Sequence, residues 1–283
     1  MAKEIIWNNV AVKLPSRWEV TSEGGSKLYG VIVIAPEEGA KLEIYWKHKV
    51  RKKHLKEHEK YVKKLVSKGF EKIARRKTSV NGHNVIIEYL KSGDVKVFVA
   101  TWNCNETDRF FIVQLDGTKA SQALFTELLN SINCHPAQDE KLAWRLMGIG
   151  ITLYTDYSVI YREFKIGYSM AHFVSKDMKV HVIQYAVPEY VLESGEQTLE
   201  TLRERHLKMI LPRFTFLDEA WRNNHIEYII KNRVIKRIKY GYLLEKIINC
   251  RKPKYVQVTL VKTPSKRLDE ARDIVESVTC VEW

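Results

Sequence analysis

Glutamine is nearly missing from this 283-residue chain: it occurs six times, against 47 Lys+Arg and 34 Asp+Glu. Such charged, amide-poor usage fits a protein built for high temperature. No apolar run approaches the length that spans a bilayer, and residues 1–9 lack the basic start and apolar stretch of a secretory signal. The expectation is a cytoplasmic protein. Glycine-rich phosphate loops are missing too. Gly148 and Gly150 lead into a strand with no third glycine or Gly-Lys-Ser/Thr behind them, and Gly24-Gly25 reads as a hairpin turn. His54 and His58 have the i, i+4 spacing that can place two imidazoles on one metal, but Leu55 stands where a zinc protease needs glutamate, and no third ligand follows. His83 and His225 lie near strand starts without an acidic or cysteine neighbour in sequence, and the Cys134-His135 pair has Val281 in place of a second histidine downstream. No catalytic residue, cofactor or metal site is therefore expected.

What the chain does contain is a globular balance, 45% hydrophobic and 29% charged, and a pattern that runs twice. VAVKLPSRWEV at 10–20 and IGITLYTDYSV at 149–159 both alternate apolar side chains before a turn and an aromatic. Strands at Lys27 and Lys41 answer to strands at Phe164 and Lys179. A helical period follows in each: residues 51–68, with Leu55, Val62, Leu65 and Val66 on one face and Gly69 as a stop, and residues 197–210, ended by Pro212. Strand-rich stretches at 83–102 and 225–248 lead to RFFIVQL and YVQVTLV, and amphipathic helices at 119–134 and 265–280 close the copies. The fold class expected is α+β: two tandem repeats, 1–136 and 142–283, each an antiparallel sheet flanked by a long amphipathic helix and a C-terminal helix. The polar stretch 135–141 joins them.

The four cysteines obey the same repeat. Cys104 and Cys250 are 146 residues apart, as are Cys134 and Cys280, and each copy spaces its pair by 30. Between them a strand rises roughly 23 Å and a helix returns roughly 24 Å, which brings the chain back to its start. Two disulfides, Cys104–Cys134 and Cys250–Cys280, are the expectation, and buried free thiols are the competing reading.

Pro15 and Trp18, in the opening VKLPSRWEV, with the order of elements, resemble the Mog1/PsbP-like family. The second copy has Tyr154 and Tyr157 at those places. The resemblance implies a sheet flanked by helices and a non-catalytic binding or assembly role, since members act as GTPase partners, photosystem subunits or secretion chaperones.

Charge supplies one further signal. Residues 47–77 hold 14 Lys+Arg against 3 Asp+Glu, and residues 231–254 hold 9 against 1, so the rest of the +13 chain is net acidic. Lys52, Lys53, Lys56, Lys60, Lys63, Lys64, Arg75, Arg76 and Lys77 in the first tract, with Arg233, Lys236, Arg237 and Lys239 in the second, are candidates for contact with a polyanion such as RNA, DNA or a ribosome. Few aromatics interleave (Tyr61, Tyr240, Tyr242), which favours phosphate contact over base stacking. Two functions follow: a non-enzymatic binding or adaptor protein acting as a pseudo-dimer of repeats, or a nucleic-acid- or ribosome-associated protein using the basic tracts.

Overall fold

A computed structural model describes residues 2–7, 9–26, 28–36, 39–48, 54–135, 141–146, 149–154, 156–165, 168–185, 214–222, 225–234, 237–251 and 254–280. The chain divides into two units, Met1–Gln138 and Asp139–Trp283.

In the first unit β1 (Ala2–Trp7) and β2 (Val10–Pro15) form a hairpin. Asn9 turns it with φ 60, a conformation that asparagine tolerates better than most residues. The chain then builds a seven-stranded antiparallel sheet from β3 (Glu19–Ser26), β4 (Tyr29–Ala35), β5 (Lys41–His48), β6 (Glu71–Val80), β7 (His83–Ser92), β8 (Val95–Cys104) and β9 (Arg109–Gly117). Their spatial order is β3-β4-β5-β9-β8-β7-β6.

The strand at the centre, β9, is apolar along RFFIVQL because both of its faces are covered. Phe110 and Ile112 meet Val62 and Leu65 of α1 (His54–Val66), together with Leu90, Val97 and Val99. On the opposite face, Phe111 stacks with Trp102 at 4.9 Å, and Phe98 stacks with Phe125 of α2 (Gln122–Ser131) at 5.5 Å. The β1–β2 hairpin closes over that face, with Trp7 lying 6.3 Å from Trp46. Leu42, Ile44 and Trp46 alternate inward along β5 and are fully buried, as their period-two spacing requires.

The second unit pairs β10 (Lys141–Leu146) with β11 (Ile149–Tyr154), and β11 with the short β19 (Thr279–Cys280). Its seven-stranded sheet comprises β12 (Ser158–Lys165), β13 (Tyr168–Val174), β14 (Lys179–Tyr185), β15 (Phe214–Arg222), β16 (His225–Val234), β17 (Arg237–Arg251) and β18 (Lys254–Thr263). The spatial order is β12-β13-β14-β18-β17-β16-β15, the same succession of first, second, third, seventh, sixth, fifth and fourth strand as in the first sheet. A 3-10 turn (Ser265–Arg267) leads into α3 (Leu268–Ser277). Lys246 donates its ammonium to the carbonyls of Val275, Glu276 and Val278 at the end of α3, satisfying acceptors a helix terminus leaves open.

The balance is more strongly β than the sequence pattern suggests. Among the described residues the α-helices are α1, α2 and α3, of 13, 10 and 10 residues. The closing helices are shorter than the expected 119–134 and 265–280. Ser121 caps α2 through Leu124 N–H, and beyond Ser131 the chain turns extended so that Asn133 can pair with Ala11. On α1, Val62 and Leu65 are buried as expected, but Leu55 and Val66 are exposed, and the inward position is taken by His58. The expected helix at 197–210 lies outside the described residues. The strand β6 was hidden because its charges occupy both faces and erase the alternation. No helix is long and apolar enough to cross a membrane.

Candidate binding surface and a cysteine–histidine cluster

The first basic tract is distributed over β5, α1 and β6. Lys56, Lys60, Lys63 and Lys64 project from α1 and are exposed, as are Arg76 and Lys77 on β6. Arg75 behaves differently from its neighbours. Its Nε donates to Glu88, which is almost fully buried, and its Nη2 donates to Glu59 at 2.6 Å. The guanidinium in turn holds the Glu59 carboxyl below the usual range. Lys47 is paired with Glu57, and Lys72 lies 3.9 Å from Glu59. Tyr61 faces inward, its hydroxyl donating to Gln114 at 2.8 Å. Lys52, Lys53 and Lys236 lie outside the described residues. Arg233 is the penultimate residue of β16, opposite Ile238, while Arg237 and Lys239 lie at the start of β17, opposite Val234 and Asn232.

The edge of the first sheet is β6. Residues 71–77 are exposed on both faces, and Ile73 is 52% exposed. Glu59 is the residue through which α1 reaches Lys72 and Arg75. Leu55 (54% exposed) and Val66 (42%) lie on the same side of the helix as Glu59, one turn before it and two turns beyond. Exposed cationic side chains and these three exposed apolar ones thus share the two elements α1 and β6.

His54 and His58 lie one turn apart on α1. Both imidazoles converge on the Thr101 hydroxyl, at 3.3 and 2.9 Å, and His58 is fully buried with Nε2 3.4 Å from Glu88. Burial lowers the proton affinity of both rings.

A second site gathers at one end of the first sheet. His83 opens β7 and Cys104 ends β8, and the β7–β8 register that pairs Ile86 with Thr101 brings the two opposite each other. Cys104 pairs in turn with Arg109 on β9. Cys134 and His135 arrive from the far side of α2, held by two 2.8 Å backbone hydrogen bonds between Asn133 and Ala11. Asn81, in the β6–β7 turn, donates its amide to the carbonyls of Asn130 and Ile132 and clamps the same segment. The ligand atoms of His83, Cys104, Cys134 and His135 all lie within 4.8 Å of one another.

Cys134 Sγ is 3.2 Å from His83 Nε2 and 3.3 Å from His135 Nδ1, and Cys104 Sγ is 3.4 Å from that same Nδ1. The other nitrogen of His135 meets Glu106 at 3.1 Å. The Cys134 thiol beside it, with Thr107 and His135, holds Cys104 down to about 4, while contact with Cys104 and burial push Cys134 up. Arg109 is buried nearby, its guanidinium 4.1 Å from the Trp46 ring, and burial brings its pKa down to about 10. A cleft of about 600 Å³, lined by Glu4, Lys13, Asn81, Asn130 and Asn133 among others, opens onto His83, Cys134 and His135.

The disulfide expected between Cys104 and Cys134 is not formed; both are buried free thiols. The geometry brings them together as argued, but imidazoles pack against both sulfurs. Cys250 and Cys280 are bonded, with a Cα separation of 5.7 Å. His83 and His225 also differ from expectation: His83 has a cysteine partner, and His225 sits 3.1 Å from Glu227, which Arg272 also holds. The cluster escaped sequence reasoning because its donors come from three segments with spacings that match no zinc motif.

No protein-family model matches the chain, and no curated protein matches it. Among solved structures it is similar to the immunity protein TplEi of the type VI secretion system from Pseudomonas aeruginosa, complexed with "L" peptide. The identity is 10%, the coverage 98% of this chain and 97% of that one, and the TM-score 0.33. It is also similar to a chain of the Tle4–Tli4 complex, at 9% identity, 98% and 96% coverage and a TM-score of 0.31. The overlaps run nearly the whole length of each chain, at TM-scores too low to define a common fold.

Proposed function

We propose that this chain is a non-enzymatic binding protein that takes a protein partner on the β6–α1 face of its first unit. The observation that carries this reading is edge strand β6: ten residues long, it turns one row of backbone donors and acceptors away from β7 and exposes residues 71–77 on both faces. An edge of that kind can accept an added strand. Leu55, Val66 and Ile73 supply apolar anchors, and Lys56, Lys60, Lys63, Lys64, Arg76 and Lys77 supply a cationic rim suited to an acidic partner. Tyr61 turns inward and Phe70 packs, partly buried, against the core under α1, so neither aromatic of the tract stands out from this face to stack on a base.

Two repeats of one unit, 1–136 and 142–283, complete the reading. Their matching strand successions and the common offset of 146 in the cysteines support a duplication. An antiparallel sheet with a helix after its third strand and another near its end is the arrangement that a Mog1/PsbP-like unit would have.

Affinity capture from nuclease-treated extract of the source cells tests the proposal. Retention that survives nuclease and is lost in Leu55→Asp and Ile73→Asp variants supports it. Retention abolished by nuclease, and sensitive only to charge reversal at Lys56, Lys60 and Lys64, would replace it with the nucleic-acid reading.

A further inference from the structure

We propose that His83, Cys104, Cys134 and His135 form a Cys2His2 centre for a divalent metal ion, zinc by its donor chemistry, that fastens the end of α2 to the end of the β7–β8–β9 sheet. The inference is independent of the binding surface on β6. Zinc takes thiolate sulfur at about 2.3 Å and imidazole nitrogen at about 2.0–2.1 Å in a tetrahedron, so sulfur and nitrogen ligands of one ion lie roughly 3.5 Å apart. The three sulfur–nitrogen separations given above, 3.2, 3.3 and 3.4 Å, fall just inside that value. A small outward movement seats the ion.

The second shell matches as well. Glu106 meets Nε2 of His135 and thereby presents Nδ1 to the sulfurs, the carboxylate–histidine arrangement that orients metal-bound imidazoles. Two thiolates and two neutral imidazoles cancel the charge of the ion, and the thiol protons leave to solvent when it binds. The cleft beside His83, Cys134 and His135 is the entry path. With four protein ligands the ion keeps no open position, so its role is structural.

An internal comparison favours metal over a disulfide that has yet to close. Cys250 and Cys280 have the same spacing of 30 and are bonded. There Val281 follows the second cysteine where His135 follows Cys134, and His225 is engaged by Glu227. Among the described residues no imidazole is seen against the joined sulfurs of Cys250 and Cys280, whereas two imidazoles stand against the free sulfurs of Cys104 and Cys134.

The test is metal analysis of the full chain purified in the presence of zinc, followed by titration of the reduced apo-protein with cobalt(II). One zinc per chain and the thiolate charge-transfer and d–d bands of tetrahedral cobalt are expected. Cys104→Ser and His135→Ala should lose the bands, whereas the Cys250→Ser/Cys280→Ser double variant should keep them. Because core variants can unfold, Glu106→Gln, a change at an exposed residue, provides a second reading: a fall in affinity of about 10–100-fold with an unchanged far-UV spectrum. A folded, reduced wild-type chain that takes up neither zinc nor cobalt would overturn the proposal, and so would a Cys104–Cys134 disulfide in protein purified with zinc.

Discussion

His172 and His181 stand directly opposite each other on β13 and β14, their ring centroids 4.2 Å apart. Neither His172 Nε2 nor His181 Nδ1 has a hydrogen-bond partner. Burial holds both rings neutral, and it pushes His181 down to about 3, with His172, Lys179 and Lys262 adding to the effect. The unfolded chain takes up protons near 6.5 that the folded pair refuses, so stability rises with pH across this window. The contribution is complete above about pH 6.5 and is lost as pH falls toward 3, a change on the order of a few kcal/mol. Denaturant titrations from pH 7.5 to 3.5 should show this slope, and His181→Phe should flatten it.

Arg75 and its neighbour Arg76 should behave oppositely. Replacing Arg75 by alanine leaves the Glu88 carboxylate in the interior without its guanidinium, at a cost of about 2–3 kcal/mol, since the half-exposed arginine site lets water compensate in part. Arg76→Ala and Lys77→Ala should stay within ~0.5 kcal/mol. Equal effects of all three, measured by urea unfolding, would mean that Arg75 is ordinary surface.

Gly30 is a place where the fold admits no side chain. A Cβ there would stand 2.4 Å from Cη2 of Trp7 and 2.7 Å from the Trp46 indole. Gly30→Ala must therefore push the β1–β2 hairpin off the sheet, costing about 1–3 kcal/mol and shifting tryptophan fluorescence. An unaltered spectrum and midpoint would argue against the Trp7–Trp46 contact.

Reduction should loosen the second unit through Cys250–Cys280. The bond closes a loop of 30 residues, worth about 3–4 kcal/mol in the chain-entropy account. Cys250→Ser should reproduce the loss. Hydrogen exchange should place it in β17, β19 and α3 and leave β7, β8 and β9 unchanged.

Much of the architecture was legible where one residue pattern answers to one environment. The alternation of Leu42, Ile44 and Trp46 marks a strand with one face inward, and the continuous run of β9 marks one covered on both. Gly69 ends the turn after α1 with φ 91, as a helix stop requires. Less could be read where two demands act on the same residues. Solvent on both faces of β6 allows charge at every position, so a strand reads as a basic tract. The pull of Ala11 on Asn133 unwinds the end of α2 against a helical period that continues to Cys134. In the cysteine–histidine cluster the approach of Cys104 and Cys134 follows from the strand and helix lengths between them, but the β7–β8 register that adds His83 is a long-range feature that no local spacing records.

A partner that docks on β6 and α1 must shield their backbone from solvent. Amide hydrogen exchange can be compared for the chain alone and for the complex recovered from nuclease-treated extract. New protection is expected at residues 71–80 and 54–66, greatest at the β6 amides that point away from β7. Protection confined to other elements, with β6 exchanging as fast in the complex as in the free chain, would place the partner elsewhere.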